Sequence, residues 1–160
     1  MEEKTAAWRN KLRKGHAIGF SCHESFDTGV ACDACAVDVS IEDKRPKIRR
    51  VTVAVDPGLA VKPLTIESQF QAGVAFGVSK LMAKGAITLK DGYVEQSNFD
   101  TYTPPYIIDA PVAVAVHIVP STEKPSGCGE PPVPVISPAV VNAVSRLTGK
   151  RCRSLPLVTV

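Results

Sequence analysis

One acid in this chain is closely framed by glycines and prolines. Glu130 lies in the stretch Pro125-Ser126-Gly127-Cys128-Gly129-Glu130-Pro131-Pro132, with Pro134 and Ser137-Pro138 following. Gly127 and Gly129 allow positive φ or a close backbone approach to another group. Pro131 and Pro132 fix φ and remove two N–H donors, which predicts a loop that is neither helix nor central strand. Ser137 and Pro138 read as the N-cap and first residue of a helix. The pattern predicts a rigid loop holding one carboxylate just before a helix. Read from these residues alone, it is a turn with a solvated Glu, since surface carboxylates are common.

The other reactive side chains form no comparable frame. Cys22, Cys32, Cys35, Cys128 and Cys152 are odd in number and widely spaced, unlike a disulfide framework. Cys32 and Cys35 have the CxxC spacing, but they lie in a strand-like run, where positions i and i+3 point to opposite faces. A second CxxC is missing, so no metal-ligand set is expected. His16, His23 and His117 are not spaced as ligands, and His23 reads as structural although Glu24 adjoins it. Asp56 ends a strand before a loop, a place equally suited to ligand contact and to a turn. Gln69 and Gln71 fall on the following helix, where they either hydrogen-bond a cofactor or stay exposed. GxSxG, HExxH, P-loop and GxGxxG motifs are absent.

Composition narrows the class. The hydrophobic content of 44% suits a globular chain with a core of its own. The net charge of +3 is small, and its basic clusters, Lys11 to Lys14 and Lys44 to Arg50, carry no interleaved aromatics, so no nucleic-acid partner is expected. No apolar run reaches membrane-spanning length. The start, Met1-Glu2-Glu3-Lys4, lacks the apolar region of a signal peptide, which points to the cytoplasm by default.

The elements that must position Glu130 follow from periodicity and breakers. A short helix is predicted over residues 3–9 with Trp8 as anchor, then strands over 16–24 and 29–41. The polar run Glu42 to Pro46 turns the chain into a third strand over 47–55. Asp56-Pro57-Gly58 breaks it, and Lys62-Pro63 continues the loop. A helix with Thr65 as N-cap and Gly85 as stop follows. Ile66, Phe70, Gly73, Val74, Gly77, Val78 and Leu81 form its inner stripe, and the two glycines signal close packing against backbone or a ligand. A small hairpin over 86–94 turns at Asp91-Gly92. An ordered loop over 98–110, a strand over 111–119, a helix over 137–147 closed by Gly149, and a last strand over 155–160 complete the chain. Without regular βαβ alternation the class is α+β: a mixed or antiparallel sheet with two main helices.

Read in order, these stretches resemble the C-terminal part of the molybdopterin-binding large subunit of the xanthine oxidase and aldehyde oxidase family, nearest to isoquinoline 1-oxidoreductase beta subunits. The resemblance is carried by His23-Glu24-Ser25-Phe26, Ala54-Val55-Asp56-Pro57-Gly58-Leu59, Ser68-Gln69-Phe70-Gln71-Ala72-Gly73, Val94-Glu95-Gln96-Ser97-Asn98-Phe99-Asp100, His117-Ile118-Val119-Pro120, Gly127-Cys128-Gly129-Glu130-Pro131-Pro132, Pro138-Ala139, Asn142-Ala143, Thr148-Gly149-Lys150-Arg151 and Leu155-Pro156-Leu157. It implies that residues 1–160 form a single partial molybdopterin-binding domain. It also implies part of an enzyme that oxidises an N-heterocycle or aldehyde with water as oxygen source, with Glu130 as general base. Gly127, Cys128 and Gly129 would lie against a molybdopterin cofactor, and Gln69 would face it. The resemblance further implies partners: the remaining large-subunit segments, an iron–sulfur subunit and a small-molecule substrate. A partner's export signal would place the complex in the periplasm. The chain departs from the family pattern at Pro57, Lys62, Ser68, Ala72 and Cys128. The family's subunit is several times longer, so the alternative is a non-catalytic truncated or stand-alone module that binds a partner or forms a homo-oligomer.

Overall fold

The computed structural model describes residues 12–25, 31–82 and 85–157. The helix expected over 3–9 lies outside them. Four strands form one sheet: β1 (His16–Ser25), β2 (Ala31–Glu42), β3 (Arg45–Asp56) and β6 (Val114–Ile118), in the order β1-β2-β3-β6. The first three pair antiparallel, and β6 joins β3 in parallel. Between β3 and β6 lie α1 (Pro63–Ser79), a hairpin of β4 (Leu89–Lys90) and β5 (Tyr93–Val94), and a 3₁₀ turn (Ile107–Asp109). After β6 the chain enters α2 (Pro132–Thr148). The α+β architecture with a mixed sheet and two main helices is as expected, and its β3-α1-β6 passage is one parallel crossover within an otherwise antiparallel frame.

Alternation of apolar residues along β2 and β3 sends Cys35, Val37, Val39, Val51, Val53 and Val55 to the same face, all fully buried. Phe70, Val74 and Val78 of α1 and Val135, Ile136, Ala139, Val140, Ala143 and Val144 of α2 close over them as one core. The β2–β3 turn is the two residues Asp43 (φ 50) and Lys44 (φ 60), both left-handed, which matches the twist of a tight hairpin. Asp91 (φ 51) and Gly92 (φ 83) turn the small hairpin in the same way, as their types predict.

Helix α2 clamps the outer strand. Gly19 of β1 runs so close beneath it that an added Cβ would stand 1.9 Å from Ala139 O. Ser21 Oγ donates to Val135 O, Asn142 Nδ2 to Phe20 O at 3.0 Å and Arg146 Nη1 to Ile18 O at 3.1 Å. The last two bonds occupy carbonyls of β1, the edge strand of the sheet.

Both helix starts differ from the expectation. Helix α1 begins at Pro63, with Lys62 rather than Thr65 at the N-cap. Helix α2 begins at Pro132 with Pro131 at the N-cap, so Ser137 and Pro138 lie inside it. The reason is common to both: the first-turn N–H groups have no intrahelical acceptor, so proline there forfeits nothing. Ser137 Oγ instead donates to Gly77 O of α1 at 3.4 Å. Helix α1 also ends without a glycine. Lys80 caps it, and tightened bonds from Lys80 N to Gly77 O and from Leu81 N to Val78 O turn Leu81 into the core. Gly149 (φ 71) ends α2 as expected. Residues 155–157 form no strand, although Leu157 N donates to Leu81 O at 2.8 Å.

Candidate functional site

Strands β1, β3 and β6 all finish at one end of the sheet, where β2 begins. The Glu130 loop is fastened there. After β3, Asp56 Oδ1 accepts from Gly58 N at 3.1 Å and shapes the turn. Gly58 (φ 71) then passes so close to the incoming loop that an added Cβ would stand 2.2 Å from Lys124 O. Leu59 N donates to Glu123 O and Ser126 N to Pro57 O, each at 2.9 Å. Asp56 thus acts as a turn residue that holds the two loops together.

From this anchorage the chain rises to the start of α2. Cys128 is half-buried against the core, and burial pushes its thiol up. Gly129 and Glu130 are exposed, and nothing lies within 4 Å of where a Gly129 Cβ would stand. Val133 N donates to Glu130 O at 2.9 Å, so the backbone of Glu130 is already tied to the helix. The loop is preorganised on its inner side and open on its outer side.

Helix α1 brings Gln69 to this end. Gly73 and Gly77 pack against Pro132 and against Val133 and Ile136, so α1 and α2 advance in the same direction where they touch. One turn earlier on the Gly73 face is Gln69, which is exposed at the level of the loop that precedes Pro132. The two glycines mark helix–helix contact, which accounts for their spacing without a ligand. Gln69, Gly127, Cys128, Gly129 and Glu130 therefore share one end of the molecule. They form an open surface there rather than an enclosed pocket. These residues fit one wall of a cofactor site: an unfilled glycine face, an exposed carboxylate and an exposed amide.

Cys32 and Cys35 do lie on opposite faces, one exposed and one buried. Sequence reasoning passed over the residue between them. Asp33 has a side chain with no exposure, directly across from His23, with Nδ1 3.7 Å from Oδ1. Neither Asp33 oxygen has a hydrogen-bond donor, and burial pushes its carboxyl up to about 7. The available signal was an acid at an inward position of a strand whose other inward residues are apolar. Reading it required the β1–β2 register.

The fold is that of a domain built into much larger oxidoreductases. The chain superposes on quinoline 2-oxidoreductase from Pseudomonas putida 86 with a TM-score of 0.70 and 20% identity, over 81% of this chain and 18% of that one. It matches the aldehyde oxidoreductase of Desulfovibrio desulfuricans ATCC 27774 equally well, at 0.70 and 21% identity over 81% and 15%. Residues 3–111 match the family model of the molybdopterin cofactor-binding domain, and the chain belongs to that family, whose cofactor is molybdopterin. Glu130 lies beyond the matched residues. Among curated relatives, the membrane-bound aldehyde dehydrogenase [pyrroloquinoline-quinone] of Gluconacetobacter polyoxogenes is 30% identical over 97% of this chain and 20% of that protein. Isoquinoline 1-oxidoreductase subunit beta of Brevundimonas diminuta is 30% identical over 69% and 14%. The chain spans a fifth or less of the length of these relatives. Among the described residues no helix is long and apolar enough to cross a membrane.

Proposed function

We propose that this chain is the part of a molybdenum hydroxylase that carries its general base, Glu130, and that it oxidises an N-heterocycle or an aldehyde only when joined to further segments of the molybdopterin-binding subunit. The carrying observation is the exposed carboxylate on a loop pinned to Pro57 and to the first turn of α2. Molybdopterin, when bound, supplies the redox centre and the metal at which water is activated. Glu130 would be the group that takes up the proton which that water gives up. The loop bonds hold its backbone still during that transfer, which is what a positioned base requires. Gly129 leaves room for the cofactor to approach the loop, and Gln69 offers it an amide. An iron–sulfur subunit would complete the path for electrons. The compartment is the cytoplasm, or the periplasm if a partner carries an export signal.

The test joins the chain with its missing segments and measures molybdenum content and dehydrogenase activity with quinoline-type and aldehyde substrates. Glu130→Gln should keep the metal and lose kcat by at least about a hundredfold, the usual worth of a general base. Retained activity removes Glu130 from the role. Quinone without molybdenum in the loaded protein removes the molybdenum reading.

A second reading rests on the segment between β4 and β6. Leu89, Tyr93, Phe99, Ile107, Ile108 and Val112 are all exposed, Phe99 and Ile107 almost completely. Such an apolar surface favours a module that binds a partner or a second copy of itself. Full activity of the joined protein with this surface made polar would set that reading aside.

A further inference from the structure

Four buried polar atoms without a hydrogen-bond partner stand out among the described residues: His23 Nδ1, Asp33 Oδ1, Asp33 Oδ2 and Ser126 Oγ. All belong to the loop end of the sheet. Ser21 and Cys35 form the rung beneath the Val135 carbonyl, and Gly19 lies further back beneath Ala139. The next rung on this face, toward the N-terminus of α2, is His23–Asp33. Ser126 is bonded to Pro57, two residues past Val55, which pairs with Asp33. The pair therefore sits under the start of α2 and the loop that bears Glu130.

A helix N-terminus would normally offer a carboxylate its free N–H groups. This one cannot. Pro131, Pro132 and Pro134 have none, and the Val133 N–H is given to Glu130 O. Other elements give little help. Val55 faces Asp33 from β3, and Cys35 is the next inward residue on β2. The start of α2 contributes no titratable side chain, and Glu130 is exposed. Glu24, Cys32 and Asp56 lie one residue away along their strands, on the opposite face. Among the described residues, half-exposed His23 is the one basic group across from Asp33.

We propose that Asp33 and His23 are positioning residues for the Glu130 loop: with a proton on Asp33 the loop lies closed, and loss of that proton to solvent past His23 loosens it. The proposal rests on the general-base reading for its catalytic meaning, but its mechanics concern this chain alone. A neutral carboxyl buries at modest cost, whereas an ionised one without donors requires water or a closer imidazolium. Either demand is met by displacing the segment above it. Burial holds the Asp33 carboxyl near neutrality, which places the transition within ordinary assay conditions.

The experiment is amide hydrogen exchange of the 160-residue chain between pH 6 and pH 8, corrected for intrinsic rates. The Ser126 and Val133 amides, bonded to Pro57 and Glu130, should lose protection by about tenfold across that range, while core amides of β2 hold theirs. Asp33→Asn should abolish that loss of protection, and Asp33→Ala should do the same if the amide variant folds poorly. Flat protection in the native chain, or an unchanged pH response in the variants, overturns the proposal. The readout involves neither molybdenum nor turnover, so a failed role for Glu130 leaves this test standing, and the reverse.

Discussion

Gly73 of α1 lies directly against Pro132, the first residue of α2, so that a Cβ added at Gly73 would stand 2.3 Å from Pro132 Cγ. Pro132 is two residues from Glu130. One turn on, Gly77 meets Ile136 Cγ2 at 2.3 Å and Val133 O at 2.7 Å in the same sense. Gly77→Ala gains about 1 kcal/mol of helix propensity and loses more to overpacking against backbone, for a net destabilisation of about 1–2 kcal/mol. Urea unfolding checks it. Gly73→Ala presses on a proline ring alone and should cost less, while shifting the start of α2 and lowering the activity of the assembled enzyme.

Lys44 sits at φ 60 in the β2–β3 turn, a conformation that only glycine adopts freely. Lys44→Gly should raise stability by about 0.5–1 kcal/mol, the left-handed penalty outweighing the added freedom of the unfolded chain. A higher midpoint in thermal unfolding is the expected result.

Asp33 sets a pH dependence of stability. Its folded pKa of about 7 lies above the ordinary 3.8, so the folded chain binds the extra proton between those values. Stability therefore falls as pH rises from about 4 to about 7 and then stays low. The loss is roughly 4 kcal/mol at about 1.4 kcal/mol per pKa unit. Asp33→Asn should flatten this slope and be relatively more stable at pH 8 than at pH 5, as denaturant midpoints at the two pH values would show.

The exposed residues between β4 and β6 should matter for association and little for folding. Phe99→Ser combined with Ile107→Ser should leave the unfolding free energy within about 0.5 kcal/mol. Sedimentation should show less self-association, and capture of further segments of a molybdopterin-binding subunit should weaken. A large loss of stability would mean that these side chains belong to the core.

Much of this frame was legible because local chemistry and global fold agree. The Asp91-Gly92 pair and the polar run before Pro46 state their turns outright. The i, i+4 spacing of Gly73 and Gly77 announced close packing against backbone or a ligand, which the structure resolves as helix contact, and Gly149 announced the end of α2. The start of α2 was not legible. A run of prolines signals a break by itself, and only the docking of Pro132 on Gly73 shows that the run is a first helical turn. The His23–Asp33 rung was hidden for another reason. Strand pairing is a long-range choice, and no side chain in either strand spells out its register. Glu130 could be singled out by its glycines and prolines, whereas its fastening to Pro57 required the loop after β3 to be seen beside it.

The parallel pairing of β3 with β6 has a consequence for how this domain can change. Both ends of the intervening span, from Pro57 to Ala113, are pinned to neighbouring strands, through Val55 with Ile118 and Val51 with Val114. Within it, α1 is held by the core, while the stretch from β4 to the 3₁₀ turn projects outward. Doubling the length of a closed loop costs only about 0.6 kcal/mol. The projecting stretch is thus an exchangeable cassette: insertions or deletions there can retune what the domain docks against while the sheet, both helices and the Glu130 loop keep their places.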